Sequence, residues 1–124
     1  MSFLGNALIN LVLRGVPFAP PAHLFLALFT SSGEVVGGNY SRVEVTGKWA
    51  PPDANDMTFN TELLSFPNPT TPWGTLTGGG LYDEPTGGNL LVGGPVATPV
   101  NVPANTPVYF NPQTLRFSLS PRTI

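Results

Sequence analysis

The sequence predicts a mainly β chain: an antiparallel β-sandwich or barrel-like core of roughly six to eight short strands, with one N-terminal α-helix. Three observations carry this expectation. The 15 prolines and 14 glycines among 124 residues are spread as punctuation, so a turn signal recurs about every ten residues. The stretches between them are short, and either alternate apolar with polar side chains or are apolar throughout, the patterns of half-buried and fully covered strands. One segment, at the N-terminus, instead repeats its apolar residues at helical spacing.

That segment is residues 2–14. Ser2 stands where an N-cap is needed, and Phe3, Leu4, Ala7, Leu8, Leu11 and Val12 make one apolar face, with Asn6 and Asn10 on the other side. Arg14 suits the negative end of the helix dipole, Gly15 is placed to close the helix, and Pro17 blocks continuation. Residues 16–22, with Pro17, Phe18, Pro20 and Pro21, then read as an extended arm, because proline fixes φ and restricts the residue before it. Residues 23–124 form the β core, so that 1–124 is a single domain.

The core opens with His23 to Thr30. Leu24, Leu26 and Leu28 face one side and Phe25, Ala27 and Phe29 the other, which predicts a central strand covered twice, with the helix as cover for one face. Residues 40–46 alternate, Val43 and Val45 inward and Arg42 and Glu44 outward. After Trp49 and a loop from Ala50 to Asp56, Met57 to Phe66 reads as a strand with Phe59 and Leu63 in the core, ended by Pro67 and Pro69. Trp73 to Tyr82 is a further strand in which Gly78-Gly79-Gly80 signals a bulge or a close backbone approach. Asp83 to Gly88 is a turn returning into Asn89 to Val92. Val96 to Val102 and Thr106 to Phe110 read as short strands between prolines, and Thr114 to Ser120 as the last, with Leu115, Phe117 and Leu119 inward.

Composition argues against chemistry. Only 10% of residues are charged, cysteine is absent and histidine occurs once, whereas catalysis concentrates ionisable groups in a cleft. The net charge is −2, and Arg14, Arg42, Lys48, Arg116 and Arg122 are scattered, so no stripe exists to neutralise phosphates and no nucleic-acid partner is expected. The start of the chain has no basic n-region, and Gly5, Asn6 and Asn10 break its apolar stretch, so neither a signal peptide nor a membrane span is read there.

Each candidate motif has a plainer reading. His23 opens an apolar strand and lacks the partners of a metal site or triad. Asp83 and Glu84 are adjacent and diverge in an extended segment, and Asp53 and Asp56 sit in a loop where aspartate bonds its own backbone. Calcium at either loop matches no calcium-loop pattern. Gly78-Gly79-Gly80 and Gly93-Gly94 lack the Lys-Ser/Thr of a phosphate loop. Trp49, Trp73, Tyr40 and Tyr82 suit packing better than carbohydrate stacking, given so few polar neighbours. No catalytic, cofactor-binding or metal site is expected, and no cofactor. The chain is read as a part that fits against other protein surfaces.

Several segments in order carry a resemblance: Ser2 to Leu8; Pro20-Pro21-Ala22-His23 through Thr30; Gly37-Gly38-Asn39-Tyr40-Ser41-Arg42-Val43; Phe66-Pro67; Trp73-Gly74-Thr75-Leu76-Thr77; and Leu81-Tyr82-Asp83 leading to Thr86-Gly87-Gly88-Asn89-Leu90-Leu91. In these the chain resembles small tailed-bacteriophage virion proteins of the head decoration or tail fibre kind, with Gly78-Gly79-Gly80 departing from the family pattern. The resemblance implies a structural, non-enzymatic virion component. The first expectation is a capsid decoration (cement) protein on the capsid surface, assembled in the host cytoplasm, binding the major capsid protein and itself as a homotrimer. The alternative is a tail fibre or baseplate module contacting the host surface. A small carbohydrate-active enzyme or lectin is the third reading. The expected assembly interface is Phe3, Leu4, Leu8, Leu11, Pro17, Phe18, Pro20 and Pro21, with Trp49, Pro51 and Pro52 from the loop.

Overall fold

The computed structural model describes residues 2–55 and 57–118. Among the described residues one helix, α1 (Ser2–Arg14), precedes nine strands: β1 (Phe25–Thr30), β2 (Gly33–Glu34), β3 (Val43–Glu44), β4 (Met57–Phe59), β5 (Leu64–Ser65), β6 (Gly74–Tyr82), β7 (Leu90–Val102), β8 (Tyr109–Phe110) and β9 (Arg116–Ser118). The fold is mainly β, as the turn spacing predicts. A five-stranded antiparallel sheet runs β2-β1-β6-β7, with β3 sharing the free edge of β1 beside β2, and two ribbons, β4-β9 and β5-β8, stand apart from it.

The helix ends as its sequence indicates: Gly15 takes φ 68°, the Val16 amide donates to the Asn10 carbonyl at 2.9 Å, and Arg14 donates to Asn10 Oδ1 at 2.9 Å. The side chain of Ser2, the expected cap, lies outside the described residues, as do Asp56 and Leu119. β1 is central, with Leu26, Ala27 and Leu28 at most 2% exposed. Its second face is not covered by α1, which lies against β7. Gly80 explains why. A Cβ there would meet Leu90 Cδ1 at 2.7 Å and Phe29 Cε2 at 3.2 Å, so these side chains already lie over the glycine stretch and cover the strand from within the sheet.

The core gathers Leu26, Leu28, Val45, Leu64, Phe66, Trp73, Leu76, Leu81 and Val102. Tyr40 meets the Trp73 ring edge-on at 5.4 Å and stacks on Phe66 at 6.2 Å. Three further expectations need correction. Leu63 is 51% exposed and Leu64 is 1% exposed, because Asn60 and a turn at 61–62 break the segment and restart it one residue out of phase. Arg42 is not an outward, solvated residue, since its side chain is only 6% exposed. Residues 90–102 form one strand, not two. β7 holds the open edge of the sheet, where proline is tolerated. Its pairing passes from Val100↔Leu76 to Pro95↔Gly78, so residues 96–99 bulge out opposite Thr77 alone.

Candidate functional site

The ionisable side chains that converge do so to hold turns. Arg42 grips Glu34 with two prongs, Nε to Oε2 and Nη2 to Oε1, both at 2.8 Å. Its Nη1 donates to the carbonyls of Glu84 and Gly87 at 2.9 and 2.8 Å, and its guanidinium lies 3.7 Å over the Tyr82 ring. The Tyr40 hydroxyl donates to Glu34 Oε2 at 2.6 Å and accepts from the Leu28 amide. The bond from Arg42 holds the Glu34 carboxyl below its ordinary range, and burial, aided by the bond to Glu34, pushes the Tyr40 phenol up. Four of the five guanidinium N–H groups and the Tyr40 hydroxyl bond within the chain, so the cluster clasps the 83–88 turn to the sheet.

The other candidates are local. Asp83 accepts from the Asn89 amide at 2.7 Å and from its side chain at 3.1 Å, bonds that lower its carboxyl. Asp53 accepts from the Asn55 and Met57 amides at 2.8 and 3.1 Å. His23 donates from Nδ1 to exposed Glu44 at 2.6 Å, which with Thr46 lowers the Glu44 carboxyl. Among the described residues no three His, Cys, Asp or Glu side chains gather as a metal site would need.

What the molecule does present is apolar surface. Leu4, Ala7 and Leu8 are the half-buried side of α1, the side turned toward the body. Opposite them Ile9, Val12, Leu13 and Val16 are 54, 73, 76 and 41% exposed. Ile9, Val12 and Leu13, three and four residues apart, make an outer stripe on the helix, and Val16 lies just past its end, beyond Gly15 at φ 68°. A helix that is apolar on both sides is normally buried on both.

The second apolar feature is a groove of about 630 Å³ between the sheet and the strands that follow it. Leu28, Leu76 and Val92 line the sheet side, and Val108, Phe110, Leu115 and Phe117 the other. Val100, 54% exposed, stands in its wall beside the 96–99 bulge.

The expected interface residues fall into two places. Phe3, 39% exposed, meets the half-buried Phe18 edge-on at 6.4 Å, which ties the helix to the arm. Leu4 and Leu8 face the body, Leu11 is 41% exposed, Pro17 and Pro20 are exposed, and Pro21 is half-buried. Trp49 belongs elsewhere: it bridges to Asn60 and its half-buried ring sits edge-on to Phe117 at 5.5 Å, whereas Pro51 and Pro52 are exposed together with the rest of the loop to Asn55. The sequence reading missed Ile9, Leu13 and Val16, although the absence of charge between Ser2 and Leu13 leaves Asn6 and Asn10 as the main polar side chains of that helix.

Comparison with known families adds one match. A family model described as podophage GP4 fiber I protein gp80 matches residues 1–118, which takes in every described residue. None of the curated proteins compared with the chain matches it.

Proposed function

The chain belongs to the podophage GP4 fiber I protein gp80 family and is a phage virion structural protein; from that premise we propose that it is a fibre module of the tail, acting by docking and not by catalysis. The match along residues 1–118 carries the reading, because it names a fibre where the sequence alone placed the capsid first. The tail alternative is therefore better supported than capsid decoration, and neighbouring tail proteins and further copies of the chain replace the major capsid protein as expected partners.

The geometry agrees with such a part. Its converging ionisable groups are consumed in holding turns, while the apolar surface left outward is organised as a stripe and a groove. Apolar surface of this kind, presented on a rigid scaffold, favours a site of assembly. Reconstruction of the virion tests the proposal. Density for this nine-stranded body on the tail is the expected result, and density spread over the capsid lattice would replace it with the cement reading.

A further inference from the structure

We propose that the groove between the sheet and β8–β9 binds a neutral oligosaccharide. The inference rests on the docking role proposed above: it gives the groove its ligand and leaves the outer side of α1 to assembly.

The groove is made largely by an uncharged stretch of chain. Residues 85–115 contain no Asp, Glu, Lys, Arg or His, and they supply β7 on one side and the 106–115 wall on the other. Arg116 is the one charged residue among those lining it, so an ionic ligand meets no organised set of partners. Beside the apolar side chains, the groove is lined by hydroxyls and an amide, from Thr98, Asn101, Thr106, Tyr109 and Thr114. Thr114 bonds the Asn111 carbonyl at 2.6 Å, whereas among the described residues the other four side chains make no hydrogen bond. Hydroxyls and amides both donate and accept, so these four stand ready for a ligand that does the same.

Strand alternation sorts these groups into a floor and a lip. Val108 and Phe110 are half-buried, and Tyr109 between them is 53% exposed. Val102 is buried, and Asn101 beside it is exposed. The floor is therefore apolar and the lip polar, with the Tyr109 ring on the lip. A sugar ring has the same division. Its C–H faces pack on apolar and aromatic surface, and the hydroxyls round its edge pair with a few placed polar groups.

Gly79 and Gly94 leave the room. They pair across β6 and β7 in line with Leu28, so the floor beside Leu28 is bare backbone. Gly94 has no positive φ, and a Cβ there would meet nothing within 4 Å. Neither turn geometry nor a close neighbour requires glycine at this position; what its missing side chain leaves is space. The volume of about 630 Å³ lies in the range of about 300–1,000 Å³ typical of small-ligand sites. A stable protein partner needs about 800 Å² on each side. The concavity is scaled to a ligand of a few rings and not to a folded protein surface.

An array of neutral and acidic oligosaccharides tests this with the full chain, followed by NMR titration of its amides with maltotriose, cellotriose and chitotriose. Binding of at least one neutral member is expected, with shifts concentrated at residues 98–101 and 106–115. Tyr109→Ala and Asn101→Ala, both at exposed positions, are expected to weaken it at least about tenfold while circular dichroism stays unchanged. Gly94→Val should weaken it as much by filling the floor, with a melting temperature equal to or above that of the parent chain, since valine suits a strand. Silence of every neutral member would overturn the proposal, as would tighter binding of the acidic ones or shifts confined to α1. A groove occupied by a neighbouring tail protein in the virion would overturn it too. No saccharide binding by a chain whose density lies on the tail removes this inference and leaves the fibre reading intact. Density on the capsid lattice removes the fibre reading, whatever the array shows.

Discussion

Arg42 and Glu34 are joined by two parallel bonds of 2.8 Å, and the same arginine holds the carbonyls of Glu84 and Gly87, so one side chain ties β2 and β3 to the far turn of β6. Arg42→Ala frees that turn and leaves Glu34 without its partner. Breaking a buried pair costs about 3–5 kcal/mol, but Glu34 is 26% exposed and water recovers part of the loss. The expected destabilisation is about 2 kcal/mol by urea unfolding. Arg42→Lys should recover little of it, because an ammonium cannot span the fork and both carbonyls.

The same pair sets an acid limb. Glu34 is held below its ordinary value of 4.5 by Arg42 and Tyr40. Below pH 4.5 the unfolded carboxyl takes up a proton before the folded one does, so unfolding binds a proton and stability falls as pH falls. The stability difference between the chain and Glu34→Gln is expected to be constant above this value and to shrink below it. Urea titrations at a series of acid pH values would show the opposite slope, or none, if the pairing were absent.

Asn60 is fully buried and fully bonded. Its Nδ2 donates to the carbonyls of Glu62 and Asn111, both at 2.9 Å, and its Oδ1 accepts from the Leu115 amide at 2.9 Å. Asn60→Ala strands those groups at about 1 kcal/mol each, so a loss of about 3 kcal/mol is expected, with new proteolytic cleavage near residues 111–115. Cleavage unchanged from the parent chain would show the loop is held by something else.

Gly38 and Gly37 offer a paired comparison. Both have positive φ, 60° and 78°, but a Cβ at Gly38 meets Thr71 Oγ1 and Trp73 Nε1 at 2.8 Å, while one at Gly37 meets nothing within 4 Å. Gly37→Ala bears backbone strain alone, about 1 kcal/mol. Gly38→Ala also displaces the indole that donates to the Gly38 carbonyl at 2.9 Å. It is expected to cost at least about 2 kcal/mol and to red-shift tryptophan emission.

Ile9 and Val12 separate assembly from folding. The double change Ile9→Ser, Val12→Ser alters surface that is 54 and 73% exposed, so the melting temperature is expected to move little, within about 0.5 kcal/mol of stability. Incorporation into virions, read by blotting purified particles, is expected to fall. Leu28→Ala is the contrasting control: at 2% exposure it should cost about 2–5 kcal/mol.

Local signals made α1, β1, β6 and the 83–88 turn legible, since their information lies within a few consecutive residues. Leu24 to Phe29 is apolar on both faces wherever it is placed, and Asp83 with Asn89 closes a turn whose partners are six residues apart. Asn60 was opaque because it is buried by residues 51 to 55 positions away, and nothing near it announces them. Leu63 and Leu64 are both leucine, so the alternation could not say which turned inward once the strand broke. Val96 to Val102 was set apart because Pro95 and Pro99 forbid an interior strand, and the sequence does not reveal that this one lies at an edge. The outer side of α1 is hidden for a different reason: Phe3, Leu4, Ala7 and Leu8 already supply one apolar face at helical spacing, and Ile9 and Leu13 lie beside Asn6 and Asn10 on the side that reads as polar.

The prolines of β7 have a further effect. Pro95 and Pro99 remove amide donors from the outermost rim of the sheet, and the 96–99 bulge bends what remains out of line. An extra strand therefore has no straight ladder to extend, and amyloid-like stacking is blocked at the border most open to it. Assembly at this border is therefore left to side-chain fit and not to backbone pairing.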